Sequence, residues 1–179
     1  MQCFIYLFRM DKTMAQNIEL KLKVENFNIV LRLINENNIP FIKVIPQRDV
    51  YYKCNSGLLK LRIFDHKGEL IYYVRNENTS NRISNYEILN VKPEEAENFF
   101  GKLFETETEV VKTRNLYIHK NTRIHLDEVK ELGNFIELET VVNEGVETGK
   151  KEFDEVVKLL ELDISNQIKS SYRNLLLNK

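Results

Sequence analysis

The stretch from Asn17 to Val24 alternates strictly between apolar and polar side chains, with every even position apolar. A period of two places the apolar side chains on one face of a β-strand, whereas a helix would spread them around its circumference. The alternation returns, less strictly, in Leu58–Phe64, Glu109–Ile118, Thr122–Val129 and Phe135–Asn143. We therefore predict that strands build most of this fold.

Weaker signals fill the rest of the chain. Further strands are predicted at Phe41–Ile45, Asp49–Lys53, Glu69–Arg75 and Ile83–Asn90. Helices are predicted over Glu25–Asn38, after Pro93, around Phe153–Leu160 and over Ser170–Leu177. Polar turn clusters at Asn55–Gly57 and Asp65–Gly68 favour hairpins. Eight or nine strands with three or four helices indicate an α+β fold, with an antiparallel sheet that can close on itself.

The length of 179 residues fits one domain, placed here at residues 17–179 after an N-terminal extension of residues 1–16. The apolar run Cys3–Phe8 is too short to span a bilayer and lacks the flanks of a signal peptide, so no membrane association is expected.

Two cysteines make no disulfide framework, which favours a reducing compartment such as the cytoplasm. A net charge of −1 argues against a nucleic-acid partner, and both a monomer and a homodimer stay open.

The polar faces of these strands carry long charged side chains where small polar ones are common. The basic members are Lys21, Lys23, Lys60, Arg62, Arg75, Lys112, Arg114 and Arg123. The acidic members are Glu19, Asp127, Glu137 and Glu139. One interpretation is a solvated sheet surface. The other is the lining of a curved sheet, where converging cations repel one another unless an anion lies among them.

The acidic members narrow the chemistry that the second interpretation allows. Carboxylates are hard oxygen ligands suited to Mg²⁺ or Mn²⁺. A carboxylate-held metal beside a cluster of Arg and Lys is what phosphoryl transfer requires. His125 shares a strand face with Asp127 and either relays a proton, contacts a base or simply forms a hydrogen bond. Tyr172 and Arg173 either plug such a site or cap the core.

Seven segments occur in an order that is similar to a known family. They are Ile18–Lys21, Gly57–Arg62, Glu69–Arg75, Lys112–Tyr117, Arg123–Val129, Leu132–Glu139 and Ser171–Leu176. Together they resemble the CYTH superfamily of class IV adenylyl cyclases and triphosphatases, also called triphosphate tunnel metalloenzymes. The class IV adenylyl cyclase-like branch is the most similar one.

The resemblance implies a closed tunnel of eight antiparallel strands with flanking helices, a triphosphate substrate, and Mg²⁺ or Mn²⁺ as cofactor. It implies that Glu19 binds metal and that Lys21 contacts phosphate or activates water. It further implies triphosphate contacts from Arg62, Arg75, Lys112, Arg114 and Arg123, and metal contacts from Glu137 and Glu139. Asn17 stands where the E-x-E-x-K signature of the family has its first Glu.

The expected function is metal-dependent phosphoryl transfer on a nucleoside triphosphate or another triphosphate. A cyclase would convert ATP to cyclic AMP and pyrophosphate, whereas a triphosphatase would direct water at the terminal phosphorus. Two other classes stay open. One is a nucleotide- or polyphosphate-binding module with weak chemistry, and the other is a structural β domain with charged outer faces.

Overall fold

The computed structural model describes residues 16–75, 84–143 and 145–179. The strands are β1 (Gln16–Val24), β2 (Phe41–Tyr52), β3 (Leu58–Phe64), β4 (Lys67–Arg75), β5 (Ser84–Val91), β6 (Thr106–His119), β7 (Thr122–Val129) and β8 (Gly133–Val142). The α-helices are α1 (Asn28–Glu36), α2 (Pro93–Leu103), α3 (Val146–Leu159) and α4 (Tyr172–Leu177), with a 3₁₀ turn at Ile164–Asn166. The proposed extension lies outside the described residues, apart from Gln16, which begins β1.

All eight strands join one antiparallel sheet in the order β1-β8-β7-β6-β2-β3-β4-β5, so the predicted α+β tunnel class is confirmed. Within the described residues, the pairing ends at β1 on one edge and at β5 on the other.

The sheet is curved between β1 and β6. These strands lie three strand spacings apart, or about 14 Å in a flat sheet. Yet the Lys21 and Lys112 ammonium groups lie 4.2 and 4.9 Å from the centre of the same Tyr172 ring.

Helices cover the convex side of the sheet. The apolar side chains of β1, β7 and β8 pack against residues of α1 and α3, including Val30, Ile34 and Val156. Those of β2 and β3 pack against Ala96 and Phe100 of α2. Because the alternation of the strands puts apolar groups under these helices, it turns the charged groups to the opposite, concave face.

Strand β2 corrects one prediction, since residues 41–52 form one strand instead of two. Pro46 lies inside this strand, although proline has no N–H to donate to a neighbouring strand. It pairs with Thr113 of β6, whereas pairing with β3 begins only at Gln47. Proline therefore lies where β2 has a strand partner on one side only, and this position tolerates a residue without an N–H.

Two other predicted boundaries were wrong. Helix α1 spans Asn28–Glu36, so it is shorter at both ends than Glu25–Asn38. The turn between β3 and β4 contains only Asp65 and His66, whose φ angles are 47° and 60°. Positive φ at both central residues is typical of a type I′ hairpin turn, which lets β4 start earlier, at Lys67. No helix in the described ranges is long and apolar enough to cross a membrane.

Candidate anion and metal site

The concave face buries charge. Six charged residues on β1, β2, β3, β6 and β7 are each 9% exposed or less, namely Lys21, Asp49, Lys60, Lys112, Arg114 and Asp127. Charged groups at this depth are almost always paired. The solvated-surface interpretation is therefore wrong for this set, and the question becomes how the charges are arranged.

Asp49 of β2 organises the first group of charges. Lys60 Nζ donates to Asp49 Oδ2 at 2.7 Å, and Arg62 Nε donates to Oδ1 at 3.0 Å. Burial alone would raise the pKa of Asp49, but the charges of Lys60 and Arg62 hold it well below its usual range. Burial lowers the pKa of Lys60 to about 8, although Asp49 opposes this shift. Asp49 was not among the predicted site residues.

Asp127 of β7 organises the second group. Its carboxylate is completely buried. It accepts hydrogen bonds from Lys112 Nζ at 2.9 Å, from Arg114 Nε at 2.6 Å and from the Tyr172 hydroxyl at 3.0 Å. Burial would raise the pKa of Asp127, but Lys112 and Arg114 lower it. With these donors around it, Asp127 serves as a counter-ion for the two cations.

Glu137 of β8 links the second group to β1. Its carboxylate lies 3.1 Å from Lys21 Nζ and 2.5 Å from Arg114 Nη2. Burial would raise the pKa of Glu137, but Lys21 and Arg114 keep it well below its usual value. Lys21 also donates to the Ser170 carbonyl oxygen at 3.1 Å. The predicted catalytic lysine therefore lies between an acidic strand and the C-terminal segment.

A possible metal site adjoins this region. His125, Glu137 and Glu139 each place one ligand atom so that these atoms lie within 4.8 Å of one another. Glu19 is directly opposite Glu139 across the β1–β8 ladder. Burial first, and then the charge of Arg114, lowers the pKa of His125 to about 4, so its imidazole is neutral at pH 7. Asp127 is not a member of this cluster.

The other predicted residues lie further out. Arg123 Nη1 donates to Glu139 Oε2 at 3.3 Å, and its side chain is about half exposed. Lys23 is exposed, with its ammonium 6.0 Å from the ring centre of Phe135. Arg75 ends β4, but its side chain lies outside the described residues. Asn17 shares the alternating face of Glu19 and lies two residues before it in β1.

The C-terminal helix contacts the concave face. Tyr172 lies against Lys21, Lys112 and Asp127. Arg173 Nε donates to Glu107 at 2.6 Å. The helix also packs Tyr172, Leu175 and Leu176 against an apolar cluster that includes Phe135 and Val129, so its contacts fit both the plug and the cap interpretation.

Removing the Tyr172 hydroxyl tests how far that helix depends on Asp127. Tyr172→Phe is expected to lower the free energy of unfolding by about 1.5–3 kcal/mol, because a hydrogen bond to a buried charge is lost. Urea unfolding measures the change. Tyr72→Phe is the control, since the Tyr72 hydroxyl lies 3.3 Å from the hydroxyl of the exposed Ser56 instead of a buried charge. Equal losses in the two variants would contradict the assignment.

Comparison with known proteins agrees with this architecture. A candidate adenylate cyclase of Methanocaldococcus jannaschii is 28% identical over 169 residues, which cover 88% of this chain and 97% of that protein. A solved protein of Pyrococcus horikoshii superposes with a TM-score of 0.77 at 28% identity, over 89% of this chain and 98% of that one. A Hippeastrum protein, described as a candidate adenylyl cyclase with a dominant triphosphatase activity, shares the fold at a TM-score of 0.69 and 14% identity, over 92% and 96% of the two chains. The CYTH domain matches residues 15–172, and the chain therefore belongs to the CYTH domain family.

Proposed function

We propose that this chain is a metal-dependent phosphoryl-transfer enzyme that holds a triphosphate on its concave face. The observation that carries the proposal is a group of four cations on the concave face, Lys60 and Arg62 on β3 and Lys112 and Arg114 on β6, the two strands that flank β2. Four converging cations would neutralise the negative phosphates of a polyphosphate. The neighbouring carboxylates would bind the metal ion that such a substrate carries.

Asp49 and Asp127 would keep these cations in position before substrate arrives. Both carboxylates approach the planar guanidinium groups of Arg62 and Arg114 from the side, as a phosphate oxygen would. Guanidinium groups bind phosphate oxygens in the same bidentate manner. The phosphates would therefore share or take over donors that are already oriented, and little rearrangement is needed on binding.

The carboxylates Glu137 and Glu139, with Glu19 opposite, are the residues that would hold Mg²⁺ or Mn²⁺. The unpartnered His125 nitrogen beside them and the hard oxygen donors are consistent with such an ion. When bound, the metal would neutralise phosphate oxygens and stabilise the charge of the transition state. Lys21, which already donates to Glu137, would add a hydrogen-bond donor to the reacting phosphate.

Triphosphate hydrolysis is the reaction that this surface supports best, because hydrolysis requires only that phosphates, metal and water be held. Cyclisation of ATP is the second candidate, favoured by the name of the Methanocaldococcus relative. A polyphosphate-binding module with weak chemistry is a third, favoured by Asn17 in place of an acidic signature residue. A cytoplasmic location is proposed with it, from the low cysteine content.

Product analysis tests these alternatives. The protein is incubated with ATP, tripolyphosphate or thiamine triphosphate in Mg²⁺ or Mn²⁺, and the products are separated by chromatography. A triphosphatase yields orthophosphate and the diphosphate, whereas a cyclase yields pyrophosphate and cyclic AMP. Tight binding without any product would favour the binding module and contradict the proposed enzyme.

Asn17 gives a further prediction. A neutral amide near Glu19 leaves the site one negative charge short of the family signature. Asn17→Glu is therefore expected to raise turnover at low metal concentration, at some cost in triphosphate affinity. Turnover measured against metal concentration in both proteins checks this. A wild-type protein already saturated at low Mg²⁺, with Asn17→Glu unchanged, would show that this position does not affect the metal.

A further inference from the structure

His125 stands out on the concave face because one of its ring nitrogens has no hydrogen-bond partner. The residue is 4% exposed, and Nδ1 is a buried atom without a partner. The carboxylate oxygen Glu139 Oε1 is 3.8 Å from Nδ1, which is beyond hydrogen-bond distance. Buried polar atoms in proteins are nearly always satisfied, so an unsatisfied one calls for an explanation.

The surroundings of this nitrogen indicate what would satisfy it. His125 is directly opposite Glu137 across the β7–β8 ladder, and Glu139 lies two residues further along β8. One atom from each of these three side chains falls within 4.8 Å of the other two. Two carboxylates and an imidazole that surround a small space form a common ligand set for divalent transition metals.

We propose that His125 Nδ1 is a metal ligand together with Glu137 and Glu139, and that this site prefers a transition-metal ion to Mg²⁺. Imidazole nitrogen suits Fe²⁺ and Zn²⁺, and the affinity of such a site rises from Mn²⁺ through Fe²⁺ to Co²⁺, whereas Mg²⁺ is held by oxygen ligands. The inference rests on the proposed metal-dependent function and specifies which ion that function uses.

Competing ion pairs do not prevent this arrangement. Glu137 contacts Lys21 and Arg114, and Glu139 contacts Arg123. Arg114 has a second carboxylate partner in Asp127, so it keeps a counter-ion when Glu137 turns toward the metal. The Arg123 side chain is about half exposed, and water can solvate its guanidinium when Glu139 turns away.

The test uses the full chain with the histidine rings labelled with ¹⁵N, loaded with one equivalent of Mn²⁺. Pulsed electron paramagnetic resonance is recorded with and without tripolyphosphate. A ¹⁵N coupling of directly coordinated imidazole is expected in the wild type and in His66→Gln, which changes an exposed turn residue. The coupling is expected to vanish in His125→Gln. Absence of the coupling from the wild type under both conditions would overturn the inference without any variant.

Titration calorimetry measures the selectivity of the site between metal ions. His125→Gln is expected to lower the affinity for Mn²⁺ or Co²⁺ by about 10- to 100-fold, while the affinity for Mg²⁺ changes by no more than about threefold. An equal loss of affinity for Mn²⁺ and Mg²⁺ would contradict the inference.

The resonance and calorimetry measurements can fail independently of the proposed enzymatic function. Turnover without the ¹⁵N coupling overturns the inference alone, whereas the coupling without turnover supports it and contradicts the proposed reaction.

Discussion

Glu137→Gln is expected to lower metal-dependent turnover by about 100-fold or more, while triphosphate affinity stays the same or rises. The amide keeps the size of the side chain but removes one charge from the candidate metal site. It also releases Lys21 and Arg114 from a competing carboxylate, and both can then donate to phosphate. Steady-state turnover and calorimetry with tripolyphosphate measure the two effects separately.

Arg62→Ala is the contrasting variant. It removes a cation that donates to the Asp49 carboxylate through Nε and Nη2. Its triphosphate affinity is expected to fall by about 1.5–3 kcal/mol, or roughly 10- to 150-fold. Arg32→Ala serves as the control, because Arg32 lies on α1 with its side chain 62% exposed. If Glu137→Gln loses anion binding as severely as Arg62→Ala, the division between metal and phosphate ligands is wrong.

Asp127→Asn is expected to cost about 3–5 kcal/mol of unfolding free energy in the absence of any anion. The amide leaves Lys112 and Arg114 to repel each other in a site where water is excluded. Urea unfolding measures the loss. Glu105→Gln is the matched control, since its pair with Lys53 is mostly exposed and is expected to contribute about 1 kcal/mol or less.

Tripolyphosphate should reverse part of that loss. Its phosphates would supply the negative charge that Asp127→Asn removes, so the stability gap between variant and wild type should narrow as the anion is added. Repeating the unfolding measurement at saturating tripolyphosphate checks this. A gap that stays constant would mean that the anion does not reach Lys112 and Arg114.

The alternating strands made most of the fold predictable, because period two fixes both the secondary structure and the face of each side chain. The ranges Leu58–Phe64 and Thr122–Val129 were predicted without error for this reason. Strand boundaries that depend on a partner strand could not be predicted from this alternation. The position of Pro46 is tolerated only because β3 begins pairing one residue later, and no local signal reveals that.

The same limit applies to the site. Period two predicted that Lys60 shares a strand face with Arg62 and that Lys112 shares one with Arg114, but it could not predict that the two pairs lie on one surface. Asp49 was missed because residues 41–52 had been divided in two, which placed it at a strand end. Its alternation with Gln47 and Tyr51 was the available signal. The role of His125 depends on its distance from residues of another strand, which the sequence does not encode directly.

Thermal unfolding with tripolyphosphate tests the central claim most directly, that the concave face binds a triphosphate. At about 100 times the dissociation constant, binding should add about 2.7 kcal/mol to stability. For a domain of this size that corresponds to a rise in melting temperature of roughly 5–10 °C. Arg62→Ala should show a smaller rise at the same concentration, and double-stranded DNA should produce none. A melting curve unmoved by tripolyphosphate but shifted by DNA would contradict the account.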